Sequence, residues 1–584
     1  MEDPAGTIAR PRELLLVSLA GVALAILMTW PLVTGLGHLG RTRSTDADGH
    51  YSIWNVAWVA RTLVADPAHL FDANIFYPHK TTLAYSEANL LAGTIGAPVY
   101  WLTRNPYATL NVVMLFAFAS AFVCAYLLLR YLTDDRRAAA AGAMLYAFCP
   151  YVFSHLSHIQ LLFTGGIPLS LLMLHRLVDE ASFRLKAEAT RSAEGPLSSL
   201  PVASALRRKI VWRGVALGLA LAAQALACAY YGIFAGLTVG YATLVLAATR
   251  RLWTAAAYWI AIATAAGSSA LLVLPFFIPY VRVQAETGFN RSLVENLQAS
   301  ANPQSYLASS AYAHGWLLNV ARRFPVRWTE PLFPGILALT LGAAGLMLVV
   351  LRRGHDSTRN RETAILYGTL AVLACWASFG PPAGLYRVLS IIPVFSFLRA
   401  PSRFGLVVVL GLAVLATLAL RSLLELTARR RTAVAAIAVT LAIGDLAHPI
   451  VWWPAPVPPA PYSVLARLPR APLAEFPFYG ERVAFPLHTQ YMLFSTAHWL
   501  PLANGYSDII PADFRADAPV LDSFPSRDAF LALARRRVRY IAVHWDMYVG
   551  REDDIRRGLE PFATNLKVLG EDPRMTLYEV MRYP

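Results

Sequence analysis

The sequence has 584 residues, of which 56% are hydrophobic and only 15% are charged. Soluble domains usually carry about a quarter charged residues, so this composition excludes an ordinary soluble protein and indicates an integral membrane protein. The formal net charge of +15 does not predict a nucleic-acid partner. Arginine clusters such as 429–431 lie in short gaps between apolar stretches, where basic residues set membrane orientation.

The first apolar stretch follows Arg10 and Arg12 and runs without charge from Leu14 to about Gly37. It is too long for the core of a signal peptide, so it predicts a first transmembrane helix with a cytoplasmic N-terminus. Further uncharged stretches lie at 107–129, 138–153, 159–174, 211–229, 232–249, 253–275, 331–351, 363–379, 404–420 and 432–452. Together they predict a polytopic α-helical protein of about eleven transmembrane helices.

The basic clusters decide the orientation of these helices. They lie at 136–137, 184–209, 250–251, 352–361 and 429–431. All of them are cytoplasmic if the segment 88–101 is re-entrant or interfacial rather than spanning. The loop 38–106, the loop 276–330 and everything after about residue 453 are then outside. We therefore expect a multi-pass protein of the plasma (inner) membrane with an extracytoplasmic C-terminus.

The composition changes after Ile450. Trp452 to Pro461 reads W-W-P-A-P-V-P-P-A-P, which is typical of a stiff, extended linker. Short β-like runs and helical stretches then alternate: 473–476, 540–544, 567–569 and 575–581, with helices near 527–537 and 552–562. This pattern predicts a transmembrane domain at 1–452, including the external loop 38–106 with interfacial helices, and an extracytoplasmic α/β domain at 453–584.

Two acids stand where the external loop enters a helical pattern. From Arg41 the chain reads R-T-R-S-T-D-A-D-G-H-Y-S-I-W-N-V-A-W, with Asp46 and Asp48 one residue apart. Tyr51, Trp54 and Trp58 recur on one helical face, and such aromatics favour the membrane boundary, so we expect an interfacial helix. One aspartate could simply cap that helix. A cap uses only one acid, so capping alone does not explain why the chain has a second one.

The layout resembles the GT-C superfamily of glycosyltransferases, including its aminoarabinose and protein-mannosyl branches. The similarity covers about residues 25–180, where L-L-L-R-Y-L-T-D-D-R-R-A-A-A-A-G-A-M-L-Y-A-F-C-P resembles the helix, basic turn and helix after the catalytic loop. The resemblance implies an inverting enzyme that takes a sugar from a polyprenyl-phosphate or pyrophosphate carrier on the external face. It makes Asp48 or Asp46 the catalytic base or a metal ligand, and we favour Asp48, which is closer to the interfacial helix.

The sequence departs from this family after the third helix. Many relatives place another acid there, whereas this chain reads Ser154-His155-Leu156-Ser157-His158-Ile159-Gln160. His155 and His158 could supply a base or a ligand, or could be solvated or bonded to carbonyl groups. No cofactor is certain, and a divalent cation remains a candidate. A lipid-linked donor lacks the nucleotide diphosphate that metals usually clamp, so we assign no metal-site residue.

Arginines outside the membrane are the candidates for the donor phosphate. Arg399 and Arg403 lie in the external turn Phe397-Leu398-Arg399-Ala400-Pro401-Ser402-Arg403, just before a helix. The planar guanidinium fork suits phosphate oxygens, and a helix N-terminus favours anions. Both arginines could instead anchor the chain at the interface. Lys80 is a third candidate.

Other external polar residues are candidates for contacts with the acceptor or sugar. Glu87, His155 and His158 belong to the membrane part, and His498, Asn504 and Tyr506 belong to the C-terminal part. Aromatic and amide side chains can stack on and hydrogen-bond a sugar. Turn chemistry at Asn504-Gly505 and core packing of the aromatics explain the latter group equally well.

The function predicted is transfer of the sugar to an envelope glycan, lipid or protein, with membrane lipids and no nucleic acid as partners. A flippase or transporter of a lipid-linked intermediate is the first alternative, although it predicts charges buried in the middle of spans, and these spans hold almost none. A non-catalytic envelope-assembly protein is the second. Substitution of the acid pair would leave the phenotype of such a protein intact.

Overall fold

The computed structural model describes residues 10–194, 200–351, 357–392, 395 and 397–584. Parts of two predicted basic clusters, at 195–199 and 352–356, lie outside these residues. Most of the described chain is helical. Its α-helices are α1 Pro11–Met28, α2 Ala47–Ala65, α3 Leu90–Thr103, α4 Pro106–Thr133, α5 Arg136–Ala147, α6 Pro150–Phe153, α7 Gly166–Glu194, α8 Leu200–Ala227, α9 Ala229–Thr249, α10 Ala256–Thr287, α11 Leu293–Gln298, α12 Gly315–Ala321, α13 Ile336–Leu351, α14 Ser357–Ser378, α15 Leu385–Leu389, α16 Gly405–Leu426, α17 Arg431–Leu446, α18 Tyr462–Leu465, α19 Thr489–Phe494, α20 Ala512–Asp522, α21 Arg527–Arg535 and α22 Glu552–Leu559.

Seven segments of the described chain are long and apolar enough to cross a membrane. They are Pro11–Met28, Pro106–Thr133, Ile159–Leu185, Arg208–Ala227, Ala229–Thr249, Ala256–Thr287 and Pro401–Leu426. The prediction of about eleven spans is not confirmed, because four of the predicted stretches are not among these seven. One of the four, 363–379, lies almost entirely within α14, and the other three form shorter helices. The stretch 138–153 is divided between α5 and α6, and α13 and α17 have 16 residues each. α3, with 14 residues, is also too short to span, which agrees with an interfacial or re-entrant segment.

α16 is the central helix of the membrane part. It packs against α5, α13 and α14, and residues on all its sides are buried. α10 is peripheral: it packs on α8, and it leaves large apolar side chains such as Leu271, Leu274 and Val281 exposed. A helix that is apolar all round is typical of a bundle interior or of a lipid-facing position. The two helices occupy these two environments.

The predicted aromatic helix exists as α2, but its aromatic face does not lie in lipid. Trp54 is fully buried and donates its indole N–H to Asn74 at 3.0 Å. Trp58 is buried as well, donates to the carbonyl of Leu70 at 2.9 Å, and packs edge-on against Trp499. Trp54 and Trp58 therefore face protein, and the interfacial position of the helix stays a prediction. Aromatic side chains at helical spacing fit a protein interior as well as a headgroup layer.

The C-terminal residues form a four-stranded mixed sheet. Its strands are β3 Leu473–Phe476, β4 Tyr540–His544, β5 Leu566–Asp572 and β6 Met575–Val580, in the order β3-β4-β6-β5. β3 and β4 are parallel, and the other pairs are antiparallel, with a bulge between Val568 and Gly570. All four predicted strands are present, as are the predicted helices, α21 and α22. A two-residue pairing joins β1 Leu39–Gly40 to β2 Trp453–Pro454.

The external loop and the C-terminal residues share one hydrophobic core. Phe76 lies against Phe514 with ring centroids 5.0 Å apart. The N–H of Phe76 donates to the carbonyl of Asn504 at 3.0 Å, and the N–H of Leu502 donates to that of Asn74 at 2.9 Å. The division at residue 453 stays a prediction, because this core crosses it. The shared core fixes residues 505–509 beside the start of α2.

Candidate active site

A cavity of about 810 Å³ opens between α2, α9, α10 and the turn that precedes α16. Side chains of α9 and α10 form an apolar wall, which includes Ile233, Leu237, Val273 and Phe277. The polar end holds ionisable groups from several segments, among them Asp48, Glu87, His158, Arg399, Arg403, Tyr506 and Asp508. All of these except Asp508 are predicted from the sequence. The cavity is therefore amphiphilic, with charged groups at one end and hydrocarbon along one side.

The two acids at the start of α2 have different surroundings. Asp46 is the N-cap, and its Oδ1 accepts a hydrogen bond from the N–H of Gly49 at 3.0 Å. Its Oδ2 accepts a hydrogen bond from Ser157 at 2.8 Å and lies 3.3 Å from the Nε of Arg41. The side chain of Asp48 is 56% exposed and lines the cavity. Asp46 thus holds the helix in place, whereas Asp48 is accessible to a substrate.

Asp48 and His158 form the acid–imidazole pair of the cavity, with Oδ2 and Nε2 3.3 Å apart. Although its side chain is accessible from the cavity, the surrounding protein partly desolvates Asp48 and raises its pKa; the charges of Asp46 and Asp508 raise it further, and the cavity arginines partly offset this. Burial also lowers the pKa of His158 to about 3, so its imidazole is neutral at pH 7, with Nε2 beside the Asp48 carboxylate. A carboxylate with a raised pKa is well suited to accept a proton.

A buried acid that the sequence does not single out lies behind this pair. Glu330 Oε1 is 3.6 Å from His155 Nε2 and 3.9 Å from Arg403 Nε. Burial opposes its ionisation, but interactions with His155 and Arg403 outweigh burial and lower the pKa of Glu330 to about 2. His155 is buried, and its Nδ1 donates to the carbonyl of Tyr151 at 2.8 Å. Glu330 is therefore a fixed negative charge that balances Arg403.

Tyr230, the second residue of α9, positions both predicted arginines. Its hydroxyl accepts a hydrogen bond from the N–H of Arg399 at 2.6 Å, and the guanidinium of Arg403 lies 4.4 Å from its ring centroid. The side chain of Arg399 is exposed at the cavity and has no ion pair or hydrogen bond within the part of the chain that the structure describes. The guanidinium of Arg399 therefore has no direct carboxylate partner among these residues, although its charge acts on Asp48 and Asp508, whereas Arg403 lies 3.9 Å from Glu330.

Glu87 lies against the N-terminus of α9. Its Oε1 accepts a hydrogen bond from the N–H of Ala229, and its Oε2 lies 4.0 Å from the Cys228 sulfur. The helix N-terminus favours the charged form, but burial is the larger effect and raises the pKa of Glu87 to about 7. At neutral pH this carboxyl group is thus divided between the protonated and ionised forms. It can donate a hydrogen bond to a sugar hydroxyl or accept one.

A second ion pair lines the cavity and was missed from the sequence. Arg291 Nη2 lies 2.8 Å from Asp508 Oδ1, and Asp508 Oδ2 accepts a hydrogen bond from Ser86 at 2.7 Å. Burial opposes ionisation of Asp508, but Arg291 outweighs it and lowers the pKa of Asp508. Two signals were available. Arg291 is a basic residue in a predicted external loop, and Asp508 is two residues after Tyr506.

Five predicted site residues do not line the cavity. Asp46 and His155 lie directly behind it, as described above, and the other three lie farther away. Lys80 is on the exposed surface of the external loop. His498 is half-buried and lies against Tyr462 with ring centroids 5.5 Å apart, and desolvation lowers its pKa to about 3. The side chain of Asn504 accepts a hydrogen bond from the N–H of Glu475 and donates one to its carbonyl, at 2.8 and 2.9 Å. The structure therefore places His498 and Asn504 in the C-terminal core.

Close packing, rather than turn geometry, explains the glycine in the Asn504-Gly505 pair. Its φ is not in the left-handed region, so no turn there requires glycine. A Cβ at this position would lie 2.8 Å from two ring carbons of Phe76. The missing side chain lets the backbone lie against that ring. The next residues, Tyr506 to Asp508, then enter the cavity wall.

Metal-ligating side chains are sparse at this site. In the described ranges, no three or more His, Cys, Asp or Glu side chains form a group that could hold a metal ion. Asp48 and His158 offer two ligands, fewer than the near-octahedral shell that Mg²⁺ prefers. A cation there would depend on phosphate oxygens of a substrate and on water.

No protein family model and no curated protein matches the sequence. Among solved structures, the arabinofuranosyltransferase AftD from Mycobacteria matches with a TM-score of 0.53 and 12% identity, over 100% of this chain and 41% of that chain. The oligosaccharyltransferase AglB from Archaeoglobus fulgidus, in complex with an inhibitory peptide and a dolichol-phosphate, has a TM-score of 0.49 and 13% identity, over 95% and 72%. ArnT from Cupriavidus metallidurans, bound to undecaprenyl phosphate, has a TM-score of 0.46 and 14% identity, over 96% and 97%. The likeness to AftD shows a shared fold, and this chain spans 41% of the length of the AftD chain.

Proposed function

We propose that this chain, which has the GT-C fold that its sequence predicts, is a membrane glycosyltransferase. It moves a sugar from a polyprenyl-phosphate or pyrophosphate carrier to a hydroxyl of an envelope glycan, lipid or protein. The reaction takes place on the external face of the plasma membrane, with the N-terminus in the cytoplasm. The amphiphilic cavity is the observation that carries this proposal.

The cavity matches the two chemical parts of such a donor. An isoprenoid chain is apolar and fits the wall that α9 and α10 provide through Ile233, Leu237 and Phe277. A phosphate is anionic and fits the polar end, where Arg399 has no carboxylate partner among the described residues. Since guanidinium groups bind phosphate oxygens in a bidentate manner, Arg399 is the first contact and Arg403 the second.

Asp48 is the general base in this proposal. It accepts the proton of the acceptor hydroxyl, whose oxygen attacks the anomeric carbon of the sugar. The bond from that carbon to the phosphate oxygen breaks, and its electron pair leaves with the phosphate. A single displacement of this kind inverts the anomeric configuration. The raised pKa of Asp48 favours its role as proton acceptor, and the neutral His158 orients its carboxylate.

The two arginines stabilise the leaving group. Negative charge grows on the phosphate as the sugar departs, and preorganised donors at that position stabilise the transition state. Tyr230 holds both arginines before substrate arrives, and Glu330 keeps Arg403 from moving. Glu87 and Tyr506 line the same space and are proposed to contact the sugar or the acceptor.

Donor binding tests this assignment directly. Purified protein would be titrated with polyprenyl phosphate, and the bound fraction measured by native mass spectrometry. The double substitution Arg399→Gln and Arg403→Gln should weaken binding, because it removes both phosphate contacts. Two exposed arginines, Arg323 and Arg482, provide a control with the same loss of charge. Equal binding by both double variants would refute the phosphate site.

A further inference from the structure

A second group of arginines lies at the far end of α2, away from the cavity. Asp48 and Arg61 are separated by 13 residues of one helix, or about 20 Å at the usual rise of an α-helix. Around Arg61 lie Arg104, at the end of α3, and Arg470, in the loop before β3. None of these three residues lines the cavity.

Aromatic rings hold two of the three guanidinium groups. Arg104 lies 3.7 Å from the ring centroid of Trp101, and Arg61 lies 5.5 Å from that of Trp499. Cation–π contacts of this kind fix a guanidinium while leaving its N–H groups unused. The indole N–H groups are themselves engaged. Trp101 donates to the carbonyl of Ala60 at 3.0 Å, and Trp499 donates to the Tyr100 hydroxyl at 3.1 Å.

The backbone of Trp499 shows that its position is imposed by the surroundings. Its φ is 57°, in the left-handed region, which a bulky residue rarely adopts. The strained turn places the indole between Trp58 and Tyr100, with Arg61 over its face. Strain persists only where neighbouring contacts over-determine it. The aromatic platform under Arg61 is therefore rigid.

The positive charge of this group is not balanced by the protein. Arg61, Arg104 and Arg470 have no ion pair with a carboxylate in the described ranges. The nearby acid, Asp66, pairs with His69 at 2.9 Å. Burial lowers the pKa of Arg61, and the charges of Arg470 and Arg104 lower it further. The charges of Arg104 and Arg470 both repel that of Arg61, and an anion bound beside Arg61 would relieve this repulsion.

The surroundings of the group indicate that the anion belongs to a lipid. Leu102 is 86% exposed and Val64 is 59% exposed, and both stand beside the arginines along the chain. α3 is a short apolar helix, and Arg104 lies two residues before the start of α4, which is long enough to span. Arginines and tryptophans at the end of an apolar segment are typical of the headgroup layer. A soluble anion has no apolar part that could contact the exposed side chains of Leu102 and Val64.

We propose that Arg61, Arg104 and Arg470 bind the phosphate of an anionic phospholipid headgroup. The lipid belongs to the leaflet that meets the proposed active site, because α2 and α3 both lie between the spans α1 and α4 with no span between them. The acyl chains would pass Leu102 and Val64. Such a lipid would fix the seam between α2, α3 and the C-terminal residues.

Retention of defined lipids tests the proposal. The full-length protein would be purified in detergent, incubated with phosphatidylglycerol or phosphatidylcholine, and examined by native mass spectrometry. Wild type should retain phosphatidylglycerol in preference to phosphatidylcholine. Substitution of all three arginines by glutamine should weaken phosphatidylglycerol binding on the order of 100-fold, given the usual contribution of each arginine near an anionic surface. A variant with Arg323, Arg482 and Arg515 changed to glutamine has the same loss of charge and should bind as wild type does.

Several results would overturn the proposal. Equal retention of phosphatidylglycerol by the two triple variants would show that the cluster is not the site. Displacement of the lipid by excess inorganic phosphate would assign the site to a free anion instead. If the triple variant does not fold, Arg470→Glu provides a second test, because Arg470 is exposed and makes no cation–π contact among the described residues. Unchanged lipid retention by that variant would also refute the proposal.

Discussion

The substitution Asp48→Asn tests whether Asp48, rather than Asp46, is the catalytic carboxylate of α2. Asparagine keeps the shape of the side chain and removes the charge that accepts the acceptor's proton. Asp48 is 56% exposed, and its closest polar partner, His158, is 3.3 Å away, so the substitution should leave the fold intact. General-base catalysis contributes about 10²- to 10⁴-fold. The rate of transfer should fall by that factor, equivalent to about 3 to 5 kcal/mol in the activation barrier.

Asp46→Asn is the matched control. Asparagine can still accept the hydrogen bond from the N–H of Gly49 and is as good an N-cap as aspartate, so helix α2 should persist. The negative charge of Asp46 raises the pKa of Asp48, so removal of this charge should lower the pKa of Asp48. Asp48 acts as a base only when ionised. The acid limb of the pH–rate profile should therefore move to lower pH, with activity at pH 7 within about tenfold of wild type.

The assay is single-turnover transfer in proteoliposomes that contain a polyprenyl-phosphate-linked sugar and an acceptor. Melting temperature and donor binding would be measured for each variant to show that folding and substrate capture are intact. The reasoning fails if Asp48→Asn keeps wild-type rates. It also fails if Asp46→Asn loses as much rate as Asp48→Asn, because the two acids would then act as one unit.

Three further predictions concern individual residues. Arg399→Lys keeps the charge but loses the planar fork, so donor affinity should fall, as native mass spectrometry of bound polyprenyl phosphate would show. Burial raises the pKa of Glu87 in the folded protein to about 7, whereas the unfolded chain has the ordinary pKa of 4.5. As pH rises between these two values, the unfolded state ionises more readily than the folded state, so the wild-type protein loses stability. The melting temperature of Glu87→Gln relative to wild type should thus increase between about pH 5 and about pH 8. Gly505→Ala would push a Cβ against Phe76 and should cost about 1 to 3 kcal/mol of stability in chemical denaturation, whereas Gly444→Ala, which meets no neighbour within 4 Å, should cost none.

The sequence predicts those parts of the molecule that depend on local pattern. The strand at 473–476 follows from a short run between two prolines, and the strand at 540–544 follows from a run of aromatic and β-branched residues; they form β3 and β4. The acid pair and Arg399 are predicted because charge is rare in this chain and each lies next to a helical pattern. Such signals are contained within about ten residues of sequence, so no tertiary information is needed.

The parts that were missed depend on contacts between distant segments. Glu330 has no local pattern and becomes recognisable only when the fold brings Arg403 to it. Asp508 is close to Tyr506 in the sequence, but its pairing with Arg291 also depends on the fold. The aromatic face of α2 was assigned to the headgroup layer because spacing alone does not distinguish lipid from a protein interior. The span count is not confirmed, and one reason is that uncharged stretches such as 138–153 are interrupted by helix breaks.

Charge balance then explains why the two cavity arginines differ in role. Arg403 has Glu330 at 3.9 Å and the ring of Tyr230 at 4.4 Å, so its position is determined without substrate. Arg399 is held only through its backbone N–H and keeps its guanidinium for a ligand. If both arginines had carboxylate partners, the site would bind phosphate weakly. If neither had one, the two guanidinium groups would repel each other in the empty cavity. Because Arg403 has a direct carboxylate partner and Arg399 has none among the described residues, the empty cavity is stable and still favours an anion.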